Sequence, residues 1–307
     1  MGDAGAYPAL LAVTDSGIHS CFKTRPLKTA LPERIFKMAI ITISRGSASG
    51  GELLAEGLAK KLGYQIVSRD DIIQEATKFG VPEAKLDEAL VKSPGFWERF
   101  THGRRRYLAF VQAALCERAR HDGLIYHGNA GHILLSGVSH VFNLRLIAPL
   151  PFRMEMAMKR FRFTREDAMA YIQKVDQQRK DWTLFLYGED WLDPNRYDLI
   201  INLKTLDIPG AVELAALAAK NPGFTPTDKS NQDMANLLLA SRVRAALAAS
   251  PETSSAEVGV TAHDGTILLK GKLRNRAMVK SVIAVAGRVP GVAGVDRDAL
   301  DAPDLTV

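Results

Sequence analysis

Residues 39–62 constrain this chain most. Ala39-Ile40-Ile41-Thr42-Ile43-Ser44 is an apolar, β-branched run, the mark of a strand buried on both faces. A glycine- and serine-rich stretch follows at once, from Arg45 to Gly51. Glu52 to Leu62 then carries Leu53, Leu54, Leu58 and Leu62 at helical spacing, and Gly63 closes the helix. Strand, glycine loop and helix in that order bring backbone amides to a helix N-terminus. There the dipole and the unpaired N–H groups hold an anion such as a phosphate. A plain strand-to-helix turn has the same outline, so the loop alone leaves both readings open.

The same alternation continues downstream. Tyr64–Ser68, Gly123–Gly128, His140–Ala148 and Asp198–Leu203 read as further buried strands. Between and after them, helical spacing covers Asp70–Phe79, Glu83–Lys92, Tyr107–Asp122, Pro151–Arg160, Thr164–Lys180 and Pro209–Lys220. Strands alternating with helices predict an α/β fold, a parallel sheet of about five strands with helices on both faces. Asn221–Asp233 is rich in Pro, Gly and polar residues and reads as a linker. Beyond it, 234–307 forms a small α+β unit: a helix over Met234–Ala249, a hairpin of Glu257–Ala262 and Thr266–Gly271 about His263-Asp264-Gly265, a helix over Asn275–Val289, and a last strand after Gly291-Val292. The expected domains are thus 38–220 and 234–307. Residues 1–37 lack periodicity and are expected to be a poorly ordered extension, with Met38 as the natural start.

Hydrophobic residues make up 47% of the 307, enough for two cores. No apolar run approaches the ~20 residues that span a bilayer, and Tyr7–Val13 lacks the basic flank and cleavage site of a signal peptide. A cytoplasmic protein is expected. Cys21 and Cys116 make neither a disulfide framework nor a metal-ligand spacing. The net charge of +6 suits nucleic acid, an anionic surface or a phosphorylated ligand. The charges are spread along the chain with no zinc spacing and no aromatic platform for bases. That favours a phosphate ligand and argues against nucleic acid.

The loop is not the usual Gly-x-x-x-x-Gly-Lys-Ser/Thr. Aligned on Gly50, the lysine position holds Gly51, the Mg²⁺-binding Ser/Thr position holds Glu52, and the first glycine position holds Arg45. Ile-Thr-Ile-Ser-Arg-Gly-Ser-Ala-Ser-Gly-Gly nevertheless resembles the cytidylate-kinase-like family, a branch of the P-loop nucleoside-monophosphate kinases that carries Gly for the lysine and Ser-Arg before the loop, as Ser44-Arg45 here. Ala148-Pro149-Leu150 with Arg153, Asp176-x-x-Arg179, and Asp190-Trp191-Leu192-Asp193-Pro194 with Tyr197–Asn202 are similar to its lid and fifth-strand motifs. The likeness spans about 38–220. Two places depart from it. The family's Gly-Arg-Gly after the third strand is His127-Gly128-Asn129 here, without the arginine, and a carboxylate, Glu52, stands where a basic residue is common.

The resemblance implies the following roles. Arg45, Gly46, Ser47, Ala48, Ser49, Gly50, Gly51 and Glu52 would hold the donor phosphates. Arg153 and Arg179 would stabilise transfer, Asp176 would orient the lid, and Arg69 with Asp70 would open the acceptor site. Arginine suits such work because its planar fork meets phosphate bidentately. Arg162 and Arg165 read better as a solvated helix face, and His102-Gly103-Arg104-Arg105-Arg106 as an exposed helix start. His127 and His132, at the end of a strand, are weaker candidates for proton transfer or phosphate binding.

The C-terminal unit, from Val258–Gly271 to Val289-Pro290-Gly291-Val292, resembles the BON domain. That family is associated with the envelope and its lipids. No export signal is visible here, so lipid contact is not expected to be its main role.

Three functions follow, in order: a kinase that uses ATP and Mg²⁺ on a nucleoside monophosphate of the CMP or dCMP type; a degenerate kinase that senses nucleotide through the BON unit; and a scaffold at a membrane surface. Nucleotides are the expected partners, and self-association stays open.

Overall fold

The computed structural model describes residues 38–77 and 101–302, with the side chains of 101–105 excepted. The N-terminal extension, Cys21, the helix expected over Glu83–Lys92, and the basic side chains at 102, 104 and 105 lie outside the described residues.

Strands β1 (Ile40–Arg45), β2 (Gln65–Ser68), β3 (Leu124–His127), β4 (Val141–Ile147) and β5 (Leu199–Asn202) form a parallel sheet in the order β2-β3-β1-β4-β5. β1 is central, hydrogen-bonded to β3 on one side and β4 on the other. The chain direction reverses there, so the C-terminal end of β1 is a topological switch point, where open α/β sheets bind ligands.

Both faces are covered, as the apolar run of β1 requires. Ile41 and Ile43 pack with Leu54, Leu58, Val212 and Ala215, the inner residues of helices α1 (Gly51–Leu62) and α7 (Ile208–Ala219). Ile40 points to the other face, under α2 (Arg69–Ala76) and α3 (Thr101–Ala119). Each fully buried Leu or Ile contributes ~2 kcal/mol by leaving water. A single turn, α4 (Gly131–Leu134), follows β3. α5 (Leu150–Phe161) and α6 (Arg165–Tyr187) make a helical hairpin closed by its own small core of Met154, Ala157, Ala168 and Ile172.

The C-terminal sheet has the order β6-β7-β8: β6 (Gly259–His263), β7 (Thr266–Lys272) and β8 (Gly294–Asp301). α8 (Asp228–Ala249) precedes it and α9 (Arg276–Gly287) joins β7 to β8. The hairpin turns at Asp264-Gly265, with φ of 47° and 83°. Paired left-handed residues of this kind match the twist of the flanking strands.

Two element limits differ from the sequence expectation. α6 runs seven residues past Lys180, to Tyr187, because Thr183 and Leu186 are buried, and Gly188 ends it in a left-handed cap whose N–H bonds to the Leu184 carbonyl. α8 begins at Asp228, inside the stretch expected as linker. Thr227 caps it: its hydroxyl accepts from the Ser230 amide, and Ser230 Oγ accepts from the Thr227 amide.

α8 is also not an appendage. Met234, Leu238, Ala245 and Ala248 enter the core around α3. Leu239, Ala240, Val243 and Leu247 enter the core of the C-terminal sheet. Arg242 bonds to both carboxylate oxygens of Glu117 on α3. At the helix start, buried His140 accepts or donates at 2.8 Å between Nδ1 and Ser230 Oγ, while Nε2 lies 3.2 Å from Asp122.

Candidate functional site

The site grows from the end of β1. After Arg45 the backbone turns through Ala48 (φ 54°) and Gly50 (φ 83°) into α1. Ser49 Oγ donates to the Gly46 carbonyl at 2.8 Å and ties the loop across itself. At Gly50 the left-handed φ favours glycine, and a Cβ there would lie 2.8 Å from Ile208 Cδ1, so that methyl would have to shift. Among the described residues, no protein acceptor takes the amides of Ala48, Ser49, Gly50 and Gly51. Unpaired donors at a helix N-terminus attract an anion.

Ser47 is spent differently. Its amide and hydroxyl both donate to Asp176 Oδ1, at 2.9 and 2.8 Å. Arg153 Nε donates to the Ser47 carbonyl at 2.8 Å and its Nη2 reaches Ser47 Oγ at 2.9 Å and Asp176 Oδ2. Its guanidinium also closes on Gly46, where a Cβ would come within 3.1 Å. Arg153, Ser47 and Asp176 thus clasp the loop to α5 and α6 from behind. Of the two arginines expected to stabilise transfer, Arg179 lines the cleft and Arg153 does not; Asp176, expected to orient the lid, is also absent from the lining and joins α6 to the loop.

In front of the loop lies a cleft of about 1220 Å³. Loop residues 45–52, Arg69, Asp70, His127 and Arg179 line it. Arg179 donates to the Arg45 carbonyl at 3.1 Å. Burial, with Arg45 adding to it, lowers the Arg179 pKa to about 10. Burial also lowers that of Arg45, and the nearby Arg69 adds to the effect. Arg69 Nε is buried with no hydrogen-bond partner among the described residues. Three arginines therefore line one cleft, with Glu52 and Asp70 as the acidic residues of its lining among the described residues. Desolvated like charges are costly unless an anion joins them. Asp70 is exposed at the same rim. Glu52 is drawn aside into an ion pair with Arg160 of α5.

His127 ends β3 at the cleft wall. Burial, then Arg45, holds its pKa below the usual imidazole value, and Nδ1 is buried without a partner. His132 does not reach the cleft. It is buried on α4 with its ring centroid 4.9 Å from Tyr197, and burial pushes its pKa down to about 4. The fifth-strand motif also lies apart from the cleft lining. Arg145 bonds to the Trp191 carbonyl and lies over the Trp191 and Tyr197 rings at 4.8 and 5.3 Å, while Tyr197 donates to that same carbonyl at 2.7 Å.

One face of α6 went unread. Tyr171, Val175, Gln178, Trp182 and Leu186 all line the cleft. Their spacing of three and four is a helical stripe, and it was visible in the sequence.

The family model of the cytidylate kinase-like family matches residues 40–205, more than half of the 307. The chain belongs to that family. A second family model, that of the BON domain, matches residues 237–302. A cytidylate kinase of Ignicoccus hospitalis is 26% identical over 179 residues, which are 57% of this chain and 96% of that protein. Among solved structures, an uncharacterised protein of Eubacterium ventriosum matches with 21% identity and a TM-score of 0.45, over 60% of this chain and 98% of that one. A gluconokinase of Sinorhizobium meliloti matches with 17% identity and a TM-score of 0.37, over 62% and 99%. No described helix is long and apolar enough to cross a membrane.

Proposed function

We propose that this family member moves the terminal phosphoryl group of ATP onto the phosphate of a nucleoside monophosphate, CMP or dCMP. One observation carries the reading: Arg45, Arg69 and Arg179 line the cleft in front of a loop whose amides from Ala48 to Gly51 have no protein acceptor among the described residues. The name of the Ignicoccus relative supports the choice of CMP.

The loop amides hold the donor phosphates at the N-terminus of α1. Arg69, at the start of α2, receives the acceptor phosphate, with Asp70 beside it. An acceptor phosphate oxygen forms a bond to the γ-phosphorus. The bond from that phosphorus to the β–γ bridging oxygen breaks, and its electron pair leaves on the β-phosphate of ADP. The attacking phosphate is ionised at neutral pH, so no general base is required. Arg179 and Arg45 neutralise the charge spread over the migrating group, which is where most of the catalysis in such transfers lies.

Mg²⁺ binds through one or two carboxylates, waters and substrate phosphates. Glu52, on the first turn of α1 and at the cleft, fits that donor set, and it would have to leave Arg160 to serve. When bound, the ion draws charge from the β- and γ-phosphate oxygens. ATP is most available in the cytoplasm, where we place the protein.

The test is a coupled assay with Mg²⁺, ATP and each of CMP, dCMP, UMP and AMP, after calorimetric titration of ATP and CMP. CDP or dCDP formation is expected. Turnover with none of the monophosphates would end the kinase reading. Binding without turnover would favour a nucleotide sensor. That second reading draws on α8, whose packing on α3 joins the C-terminal unit to a helix that lines the cleft through Tyr107 and Val111.

A further inference from the structure

Gly51 stands where a phosphate loop usually has its lysine, and the space its side chain would take is occupied. A Cβ on Gly51 would lie 2.5 Å from Arg45 Cδ, 2.8 Å from its Cγ and 3.0 Å from its Nε. The stem of Arg45 therefore runs across the first residue of α1, and its guanidinium lies at the cleft. Among the described residues, no carboxylate pairs with that guanidinium. The nearest acidic residue in the chain, Glu52, is held by Arg160. Arg69 and Arg179 line the same cleft, and among the described residues the group forms no ion pair, so it is poised for an anion.

We propose that Arg45 takes the role of the absent lysine: it crosses over Gly51 to bind the β- and γ-phosphate oxygens of a nucleoside triphosphate, and residue 51 is bare so that it can cross. This rests on the phosphotransfer reading above and adds a residue-level exchange to it. A loop lysine is a single point charge at the end of a flexible chain. An arginine entering from the preceding strand delivers a planar fork from a fixed sheet position. The two solutions exclude each other, because both side chains need the same space above the helix start.

Three variants of the full chain test this. Arg45→Met keeps the stem over Gly51 and removes the charge. Gly51→Lys installs the usual lysine. The third joins Gly51→Lys to Arg45→Ala, which removes the stem as well and clears the space for the lysine. Affinity for ATP with Mg²⁺ and for inorganic triphosphate is read by calorimetry, and melting temperature reports folding. Arg45→Met is expected to lose roughly tenfold or more in affinity for both ligands, as a charge-assisted phosphate contact would. Gly51→Lys is expected to bind worse than wild type, although it restores the usual residue. The double variant is expected to bind better than either single one.

Wild-type affinity in Arg45→Met, or a loss for ATP with none for inorganic triphosphate, would overturn the proposal. So would Gly51→Lys binding as well as wild type, or a double variant no better than Gly51→Lys. If Gly51→Lys melts far below wild type, Arg45→Met decides alone. A wild-type protein that binds no nucleoside triphosphate would remove the phosphotransfer reading and this inference with it. Turnover by wild type with Arg45→Met unchanged would remove this inference only.

Discussion

Arg153 Nε donates to the carbonyl oxygen of Ser47 at 2.8 Å across 106 positions of sequence. The helical hairpin and the glycine loop are thereby one hydrogen-bonded unit. Replacing Arg153 with Ala leaves Asp176 without its cationic partner in a partly buried place. That should cost about 2 kcal/mol of stability. Turnover should fall more than ATP affinity does, since the loop shifts while its amides remain. Thermal melts and the coupled assay check both. Arg153→Lys restores the charge but not the fork and should recover only part of the loss.

Gly50 and Gly63 form a controlled pair. Both have left-handed φ, 83° and 74°. A Cβ at Gly50 meets Ile208 at 2.8 Å, and one at Gly63 meets nothing within 4 Å. Gly63→Ala should cost only the backbone term, about 1 kcal/mol, and leave nucleotide affinity as it was. Gly50→Ala should cost more and weaken phosphate binding, because the Ile208 end methyl must also shift and the strain falls within the loop itself. Urea unfolding and calorimetry separate the two effects.

His132 predicts a pH dependence. Its folded pKa, about 4, lies below the usual 6.5. Between those values the unfolded chain binds a proton that the folded one does not, so stability falls as pH drops from 6.5 to 4. The contribution is at most about 3 kcal/mol. Among the described residues neither ring nitrogen has a hydrogen-bond partner, so His132→Phe should keep the packing on Tyr197 and be neutral or stabilising at pH 7. It should also flatten the decline below pH 6.5. Urea titrations of both proteins at pH 7 and pH 5 read the difference.

Arg242 and Glu117 are both partly buried and share two hydrogen bonds. A double-mutant cycle to Ala should give a coupling of about 1 kcal/mol. A coupling near zero would mean that apolar packing alone holds α8 to α3.

The sheet was legible in the sequence because the β-branched run at 40–45 and the mainly apolar run at 141–147 can hardly be anything but buried strands. The loop was legible from Gly46, Gly50 and Gly51 standing between such a strand and an apolar helix stripe. What lay beyond reach was side-chain direction. Arg153 and Asp176 carry the residue types of a catalytic pair. Only the geometry shows them bound behind the loop, where the Ser47 amide and hydroxyl donate to Asp176 and the Ser47 carbonyl accepts from Arg153. His132 misled for a related reason: it lies near the end of a strand, but the left-handed residue Ala130 starts a turn that carries it into the protein. The start of α8 was hidden by Pro222 and Pro226, which read as breakers although the Thr227–Ser230 cap follows directly. The sequence shows Gly51 at the lysine position and Arg45 before the loop, but not that the Arg45 stem lies across Gly51.

A single helix closing two cores has a consequence for synthesis. The ribosome delivers β1 early and α8 some two hundred residues later, yet Met234, Leu238, Ala245 and Ala248 are needed to seal the layer over Ile40. The nascent first unit must wait with an apolar wall open, in the state most prone to aggregate. Late sequence therefore governs when early sequence becomes safe. A chain stopped just before Asp228 would hold the whole glycine loop and still lack the piece that lets its surroundings settle.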